Sequence, residues 1–310
     1  MAAESPLDRP ARNLVIDTVD IAGRQVGNER SFVVAEIGIN HNGDIGLARK
    51  LISAAVTAGC DAVKFQKRTV DVVYSPEELN RPRESPFGTT NGDLKRGLEL
   101  DKDAYTAIDE YCGMLGIVWF ASCWDEASVD FVEQFEPPCY KIASASLTDD
   151  ALLRYHRRYG RPVILSTGMS DIAEIDHAVE ILGTNDLVLL HATSTYPSQP
   201  TELNLRAITT LRERYGVPVG YSGHEVGLST TVAARTLGAC VIERHITLDR
   251  AMFGSDQAAS VEPFGFQRLV RDIRAVESAL GDGVKVVYDS EIPVKEKLRR
   301  VDWPRVVAAN

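Results

Sequence analysis

Residues 217–250 read VPVGYSGHEVGLSTTVAARTLGACVIERHITLDR. Within them, VPVGYS (217–222) and ACVIERH (239–245) are short, largely apolar runs, and residues 227–237 carry a helical pattern that stops at Gly238. A strand, a glycine-terminated helix and a second strand form the repeat of a parallel sheet covered by helices. His224 and His245 stand at or just beyond the downstream ends of two successive strands.

The same repeat extends upstream. FVVAEI (32–37), DAVKFQ (61–66), GIVWFAS (116–122), PCYKIAS (138–144), PVILST (162–167) and LVLLHA (187–192) are six further apolar runs. Helical spacing occupies residues 44–58, 171–182, 203–214 and 264–280, and glycines 59, 116, 160 and 216 close segments ahead of the next strand. Eight such units predict a (β/α)8 TIM barrel. The competing fold, an open doubly wound sheet, would fit better with a GxGxxG after the first strand, and none is present. Residues 14–26 read as a β-hairpin ahead of the barrel. Residues 67–102 form the longest connection, rich in Pro, Gly, Asn and charge, and read as part of the pocket mouth. The expected division is an N-terminal extension with the hairpin (1–30), the catalytic barrel (31–283) and a C-terminal tail (284–310).

With 310 residues, 44% of them hydrophobic, the chain can bury a large core. A net charge of −10 argues against nucleic acid as a general partner, although a few local lysines can still dominate a pocket. The five cysteines (60, 112, 123, 139 and 240) form no CxxC pair and suit a reducing, cytoplasmic compartment. The N-terminal MAAESPLDRPARN lacks the apolar stretch of a signal peptide, and no apolar run is long enough to span a membrane.

In such barrels the active site lies at the C-terminal ends of the strands. His41, His191, His224 and His245 fall there, whereas His156 and His177 lie in helical patterns and read as surface residues. For a single histidine, a hydrogen-bonded structural role is the commoner one. His224 and His245, on adjacent strands, are candidates to converge on one ion. Lys64 and Gln66 share one face of their strand by alternation. A second strand-end lysine, Lys141, and Ser144, Ser166 and Ser222 at similar heights, point to a phosphate or carboxylate site. A lone lysine could equally snorkel at the barrel edge. Glu36 and Glu243 are either buried ion-pair partners or, beside a metal, groups that orient a ligand or carry a proton. Two imidazoles and two ammonium groups on one edge describe a barrel enzyme with a metal and an anionic substrate.

AEIGINHNGD (35–44), VKFQ (63–66), KRGLEL (95–100), KIAS (141–144), LSTGMS (165–170), HATSTYP (191–197), GYSGH (220–224) and ERHITLDRAMFGSD (243–256) resemble, in order, the barrel motifs of the sialic acid synthase family. The resemblance implies metal-dependent condensation of phosphoenolpyruvate with an aldose such as N-acetylmannosamine, giving a 2-keto-3-deoxy sugar acid and phosphate. It implies a divalent cofactor, Mn²⁺ or Mg²⁺, held by His224 and His245. Lys64, Lys141, Ser144, Ser166 and Ser222 would hold phosphoenolpyruvate, with Ser194 where some relatives have Asn. Gln66, Tyr196 and Asp256 would face the sugar or the metal-bound reactants, and Glu36 and Glu243 would complete the polar floor. A homodimer is the assembly implied.

The chain departs from the pattern in three ways. No C-terminal antifreeze-like domain, usual in bacterial members, is expected after KLRRVDWPRVVAAN (297–310). Ser146 stands where Glu is common. Gln257 stands where His is common, and FASCWD (120–125) replaces an STPFD-like stretch. These changes are expected on the sugar side, making N-acetylmannosamine a poor substrate and a non-N-acetylated or phosphorylated aldose the alternative. A pyruvate-dependent metal aldolase or lyase and a catalytically silent barrel that binds a sugar or partner protein are the competing readings.

Overall fold

Eight parallel strands close on themselves because each has apolar side chains for the helical layer outside and, in its first half, for the barrel interior. The structure, a computed structural model, describes residues 18–27 and 30–301. The barrel strands are β3 (Phe32–Gly38), β4 (Ala62–Lys67), β7 (Val118–Cys123), β8 (Tyr140–Ile142), β9 (Val163–Ser166), β10 (Leu187–Ala192), β11 (Val219–Gly223) and β12 (Val241–His245). They pair in that order, and β12 returns to β3. The fold is therefore the (β/α)8 barrel expected from the repeats.

Alternation divides each strand between two environments. Val33, Ala35, Val63, Phe65 and Leu189 join the core between strands and helices. Val34, Ala62, Phe120, Ile164, Val188 and Val241 fill the lower interior. The short hairpin β1 (Val19–Ile21) and β2 (Arg24–Val26) packs Val19, Ile21 and Val26 against this inner cluster. The predicted hairpin included residues 14–17, which lie outside the described residues. Asp61, at the foot of β4, ties this end together. Its carboxylate accepts from Val33 N at 2.8 Å and Arg274 Nη2 at 2.8 Å, and pairs with Arg24 of the hairpin.

The outer helices include α1 (Ile45–Ala58), α5 (Lys102–Leu115), α6 (Glu126–Glu133), α7 (Asp150–Arg157), α8 (Ile172–Leu182), α9 (Ala207–Tyr215), α10 (Ser229–Thr236) and α11 (Pro263–Leu280). Asp44, Asp101, Asp125, Asp149 and Asp171 each cap a helix N-terminus, accepting backbone N–H groups that would otherwise lack partners. Several strands start one or two residues later than predicted, because Gly116, Pro138 and Pro162 belong to the turns before them. Helix α9 begins at Ala207 rather than near 203, since residues 200–202 form a separate 3₁₀ turn.

The long connection 67–102 is ordered. It contains α2 (Val70–Val73), α3 (Pro76–Leu79), a small hairpin β5 (Pro82–Ser85) and β6 (Gly88–Thr90), and α4 (Asn91–Leu98). Leu94 and Leu98 pack on Ile39, just past the C-terminal end of β3, so the segment sits at the barrel mouth. After α11, helix α12 (Ile292–Leu298) lies exposed. No described helix is long and apolar enough to cross a membrane.

One histidine corrects the sequence reading. His156 is fully buried rather than on the surface, its Nδ1 bonded to Leu152 O at 2.8 Å and its ring edge-on to Tyr140. It shares the inward face of α7 with Leu152 and Leu153. His177 is exposed as expected, beside Asp150.

Asp61→Ala strands a buried backbone N–H, leaves the hairpin's Arg24 without its carboxylate and leaves Arg274 with Glu277 alone. It is expected to lower unfolding free energy by about 2–3 kcal/mol, read as a lower urea midpoint. A change below about 0.5 kcal/mol would show that the barrel floor does not depend on this carboxylate.

Candidate active site

Along the inside of the barrel, the apolar lower residues give way to polar ones one alternation higher. Val34 is followed by Glu36, Ala62 by Lys64 and Gln66, Phe120 by Ser122, Ile164 by Ser166, and Val241 by Glu243 and His245. Register aligns them: Glu36 lies opposite both His245 and Lys64, and Ser122 lies opposite Lys141. The result is a cavity of about 200 Å³ at the C-terminal mouth.

Glu36, Lys64, Gln66, Lys141, Ser144, Ser166, Ser194, Tyr196, Ser222, His224, Glu243 and His245 all line this cavity. Asp256 stands behind its wall, with Oδ2 3.9 Å from His245 Nδ1. Ser146 and Gln257, expected on the sugar side, do not line it. Gln257 is buried, pairs with Thr247, and donates to the backbone carbonyls of Asn40 and Phe253 at 3.3 Å, bracing the loop after β12. The substituted FASCWD stretch does reach the cavity, through Ser122 and Trp124.

The two lysines differ in their surroundings. Lys64 Nζ lies 3.0 Å from Glu36 Oε2 and 3.7 Å from Glu243 Oε1, and donates to Ser122 Oγ at 2.9 Å. Burial works against its charge, but the two carboxylates outweigh it and raise its pKa. Lys141 Nζ donates to Ser166 Oγ at 2.6 Å and to Ile142 O at 3.1 Å, both neutral acceptors. Burial, reinforced by the charge of Lys64, lowers it to about 8 despite the attraction of Glu243. No carboxylate among the described residues lies within ion-pairing distance of Lys141. An anion in the cavity would supply the missing countercharge.

The glutamates diverge for the same reason. Burial, with the charge of Glu243 behind it, raises Glu36 to about 7 against the pull of Lys64, while Gln66 Nε2 donates to its Oε1 at 2.9 Å. Burial also acts on Glu243, but Lys64, Lys141 and His245 overcome it and hold the group below its ordinary value. Ser222 donates to Glu243 Oε1 at 3.0 Å.

His224 Nδ1 contacts Thr193 O at 2.8 Å; a carbonyl can only accept, so Nδ1 carries the proton and Nε2 keeps its lone pair. His245 Nδ1 is buried without a hydrogen-bond partner. The two rings lie 5.6 Å apart, centre to centre, and Tyr196 packs 4.1 Å from His224 and 5.7 Å from His245. Burial, then the neighbouring His245, lowers His224 to about 4, and burial lowers His245 as well. Both are neutral at pH 7, as metal ligands must be. The lone pair on His224, the unpartnered Nδ1 of His245 and the adjacent Asp256 suit a divalent ion. Among the described residues no three His, Cys, Asp or Glu side chains are gathered as a metal site, so substrate or water oxygens would complete the coordination.

Glycine and a buried ion pair hold these groups in place. A Cβ on Gly168 would lie 2.2 Å from Ser194 Oγ and 2.9 Å from Ser144 Oγ, so glycine here lets both hydroxyls keep their places beside the LSTGMS turn. Arg244 points away from the cavity into a buried network with Glu225, Thr231 and Gly227 O, fixing the loop that carries His224. Sequence reading missed this brace; it flagged the FASCWD stretch without singling out Ser122 and Trp124, and the alternation applied to Lys64 and Gln66 picks out Ser122. His41 and His191 lie outside the cavity lining. His41 accepts from Gly43 N at 3.0 Å, and His191 Nε2 bonds to Leu203 O at 2.6 Å.

A closed barrel with this polar upper interior and imidazole pair has the architecture of a barrel enzyme. The chain belongs to the NeuB family, whose model matches residues 51–285. It is 39% identical to human N-acetylneuraminate-9-phosphate synthase, over 89% of this chain and 79% of that one. It is 36% identical to N,N'-diacetyllegionaminic acid synthase of Legionella pneumophila, over 87% of this chain and 78% of the relative. Among solved structures it resembles the N-acetylneuraminic acid synthetase of Leptospira borgpetersenii, with a TM-score of 0.80 and 29% identity over 92% of this chain and 98% of that one. The chain is thus an enzyme of a family of synthases.

Removing each lysine separates their roles. Lys64→Met leaves two buried carboxylates without their shared cation and is expected to cost about 3 kcal/mol or more. Lys141→Met removes a charge paired with no carboxylate and is expected to cost less than about 1 kcal/mol. Chemical unfolding of both variants checks this; equal losses would contradict the assignment.

Proposed function

We propose that the enzyme condenses phosphoenolpyruvate with an aldose, forming a 2-keto-3-deoxy sugar acid of the nonulosonic type and releasing phosphate. The observation that carries this reading is Lys141, a buried ammonium hydrogen-bonded to neutral acceptors and facing a serine-lined cavity beside an imidazole pair. The names of the family relatives, synthases of N-acetylneuraminate 9-phosphate and of diacetyllegionaminic acid, support the same class of product. Four of the five cysteines, Cys112, Cys123, Cys139 and Cys240, are buried as free thiols, which is consistent with a reducing, cytoplasmic location.

On this reading Lys141 and Lys64, with Ser144, Ser166, Ser194 and Ser222, bind the phosphate and carboxylate of phosphoenolpyruvate through charge-assisted hydrogen bonds. His224 and His245 would hold Mn²⁺ or Mg²⁺, with Asp256 beside them. The ion supplies Lewis-acid polarisation of the sugar carbonyl when bound. The methylene carbon of phosphoenolpyruvate forms the new bond to the aldose C1. Water adds at C2, and C–O cleavage expels phosphate. Glu36, held near neutrality by burial, can give and take the proton this sequence needs, while Gln66 fixes its Oε1. Glu243 stays ionised and keeps Lys64 charged. Tyr196 packs over His224 and covers the imidazole pair.

Phosphate release from phosphoenolpyruvate with Mn²⁺ and a panel of aldoses tests the reading. Aldose-dependent release that a chelator abolishes is expected. Lys141 loses its proton above about 8, so kcat/KM for phosphoenolpyruvate should fall as pH rises through that value. No release with any aldose, or release indifferent to chelator, would contradict the proposal.

A further inference from the structure

Arg244 stands in β12 between Glu243 and His245, and alternation turns it away from the cavity that both of those residues line. On its own face its neighbours along the strand are Ile242 and Ile246, which belong to the apolar core between strands and helices. Its carboxylate partner, Glu225, directly follows His224 and is buried as deeply, each residue being 1% exposed. Apolar side chains of similar volume often fill such a place with no loss of stability, so this ion pair calls for another reason.

The reason lies in what the pair holds. Arg244 Nη2 donates to Glu225 O at 2.5 Å, and Nη1 donates to Gly227 O at 3.0 Å and to Thr231 Oγ1 at 2.6 Å. The Glu225 carboxylate accepts from Tyr221 of β11 at 2.9 Å, and from Thr230 and Thr231 of α10 at 2.8 Å each. The turn that carries His224 is therefore wrapped around one guanidinium. A Cβ on Gly223 would lie 2.6 Å from Glu225 Oε2, so the wrapping leaves no slack on that side.

A second loop rides on the first. Ser198 N donates to His224 O at 3.1 Å, and Ser198 and Glu225 pair as an isolated parallel bridge. The buried Ser198 hydroxyl lies 3.0 Å from Thr193 O and 2.8 Å from Thr195 O, either of which can accept its proton. Thr193 O is the same carbonyl that accepts the His224 Nδ1 proton. Between these anchors stand Ser194 and Tyr196, both lining the cavity.

We propose that Arg244 and Glu225 are a positioning pair, which from outside the barrel sets His224 directly and sets Ser194 and Tyr196 through Ser198. Neither member of the pair lines the cavity, so neither is a catalytic residue. The inference rests on the condensation reading for the ion at His224, whereas the placement of the imidazole can be read without any ion.

Two measurements test it. ¹⁵N-histidine NMR of the metal-free protein reads the placement of His224, and calorimetric titration with MnCl₂ reads its consequence. Arg244→Lys keeps the charge but loses the planar fork, and Ser198→Ala releases the second loop. Asp61→Ala, at the far end of the barrel, controls for destabilisation alone, with unfolding midpoints measured for every variant. The wild type is expected to show His224 as a single Nδ1–H tautomer. Arg244→Lys is expected to show mixed tautomers and to bind Mn²⁺ about 10–100-fold more weakly. Ser198→Ala is expected to move both readouts in the same direction, and Asp61→Ala to keep both at its lowered midpoint. Unchanged tautomer and affinity in Arg244→Lys, or an equal loss in Asp61→Ala, would overturn the positioning role. If Arg244→Lys does not fold, Ser198→Ala decides by the same readouts. If the wild type binds no Mn²⁺, the metal part of the condensation reading fails and the tautomer signal judges the pair. Its loss in Arg244→Lys but not in Asp61→Ala then upholds the pair, and its retention overturns it.

Discussion

A closed barrel has no inexpensive place for a charge, and this one holds two ammonium groups and two carboxyl groups in its upper interior. The constraint that orders the rest is their unequal pairing. Lys64 takes both glutamates as neighbours, which leaves Lys141 with a serine and a carbonyl. Desolvation makes such a group costly unless something negative arrives. The apolar lower interior keeps water from below, and the hairpin β1–β2 with Asp61 closes that end. The floor of the barrel thereby sets the electrostatics of its mouth.

The same closure explains how groups far apart in the chain meet. Glu36 and Glu243 approach Lys64 because β12 pairs with β3 and β3 with β4. Around them, rigid packing substitutes for direct contact with reactants. Gly168 allows two serine hydroxyls to crowd one turn, and Arg244 anchors the loop of His224 from the outer face. The imidazoles remain neutral and partly unpartnered, while the lysines provide positive charge beside them. On the proposed function, the anionic reactant would sit beside the lysines and a divalent ion beside the imidazoles.

Much of this was legible in the sequence. Buried parallel strands are apolar runs, and glycines punctuate the helices, so eight units could be counted directly. Period-two alternation placed Lys64 with Gln66 and Glu243 with His245 on common faces. What escaped depended on neighbours distant in sequence. A lone histidine in a helical pattern reads as exposed, yet the spacing of His156 from Leu152 and Leu153 puts it on the buried face of α7. Nothing local reveals that Gln257 turns into a loop rather than a cavity, because its partners Asn40 and Phe253 come from other segments. Equally, the pairing that leaves Lys141 without a carboxylate follows from strand register, which no single strand encodes.

The central claim is that Lys141 awaits an anion, and calorimetric titration of phosphoenolpyruvate tests it most directly. At pH 7 the wild type is expected to bind, and Lys141→Met to bind at least about 100-fold more weakly while keeping its fold. Equal affinity in the two proteins would contradict the account.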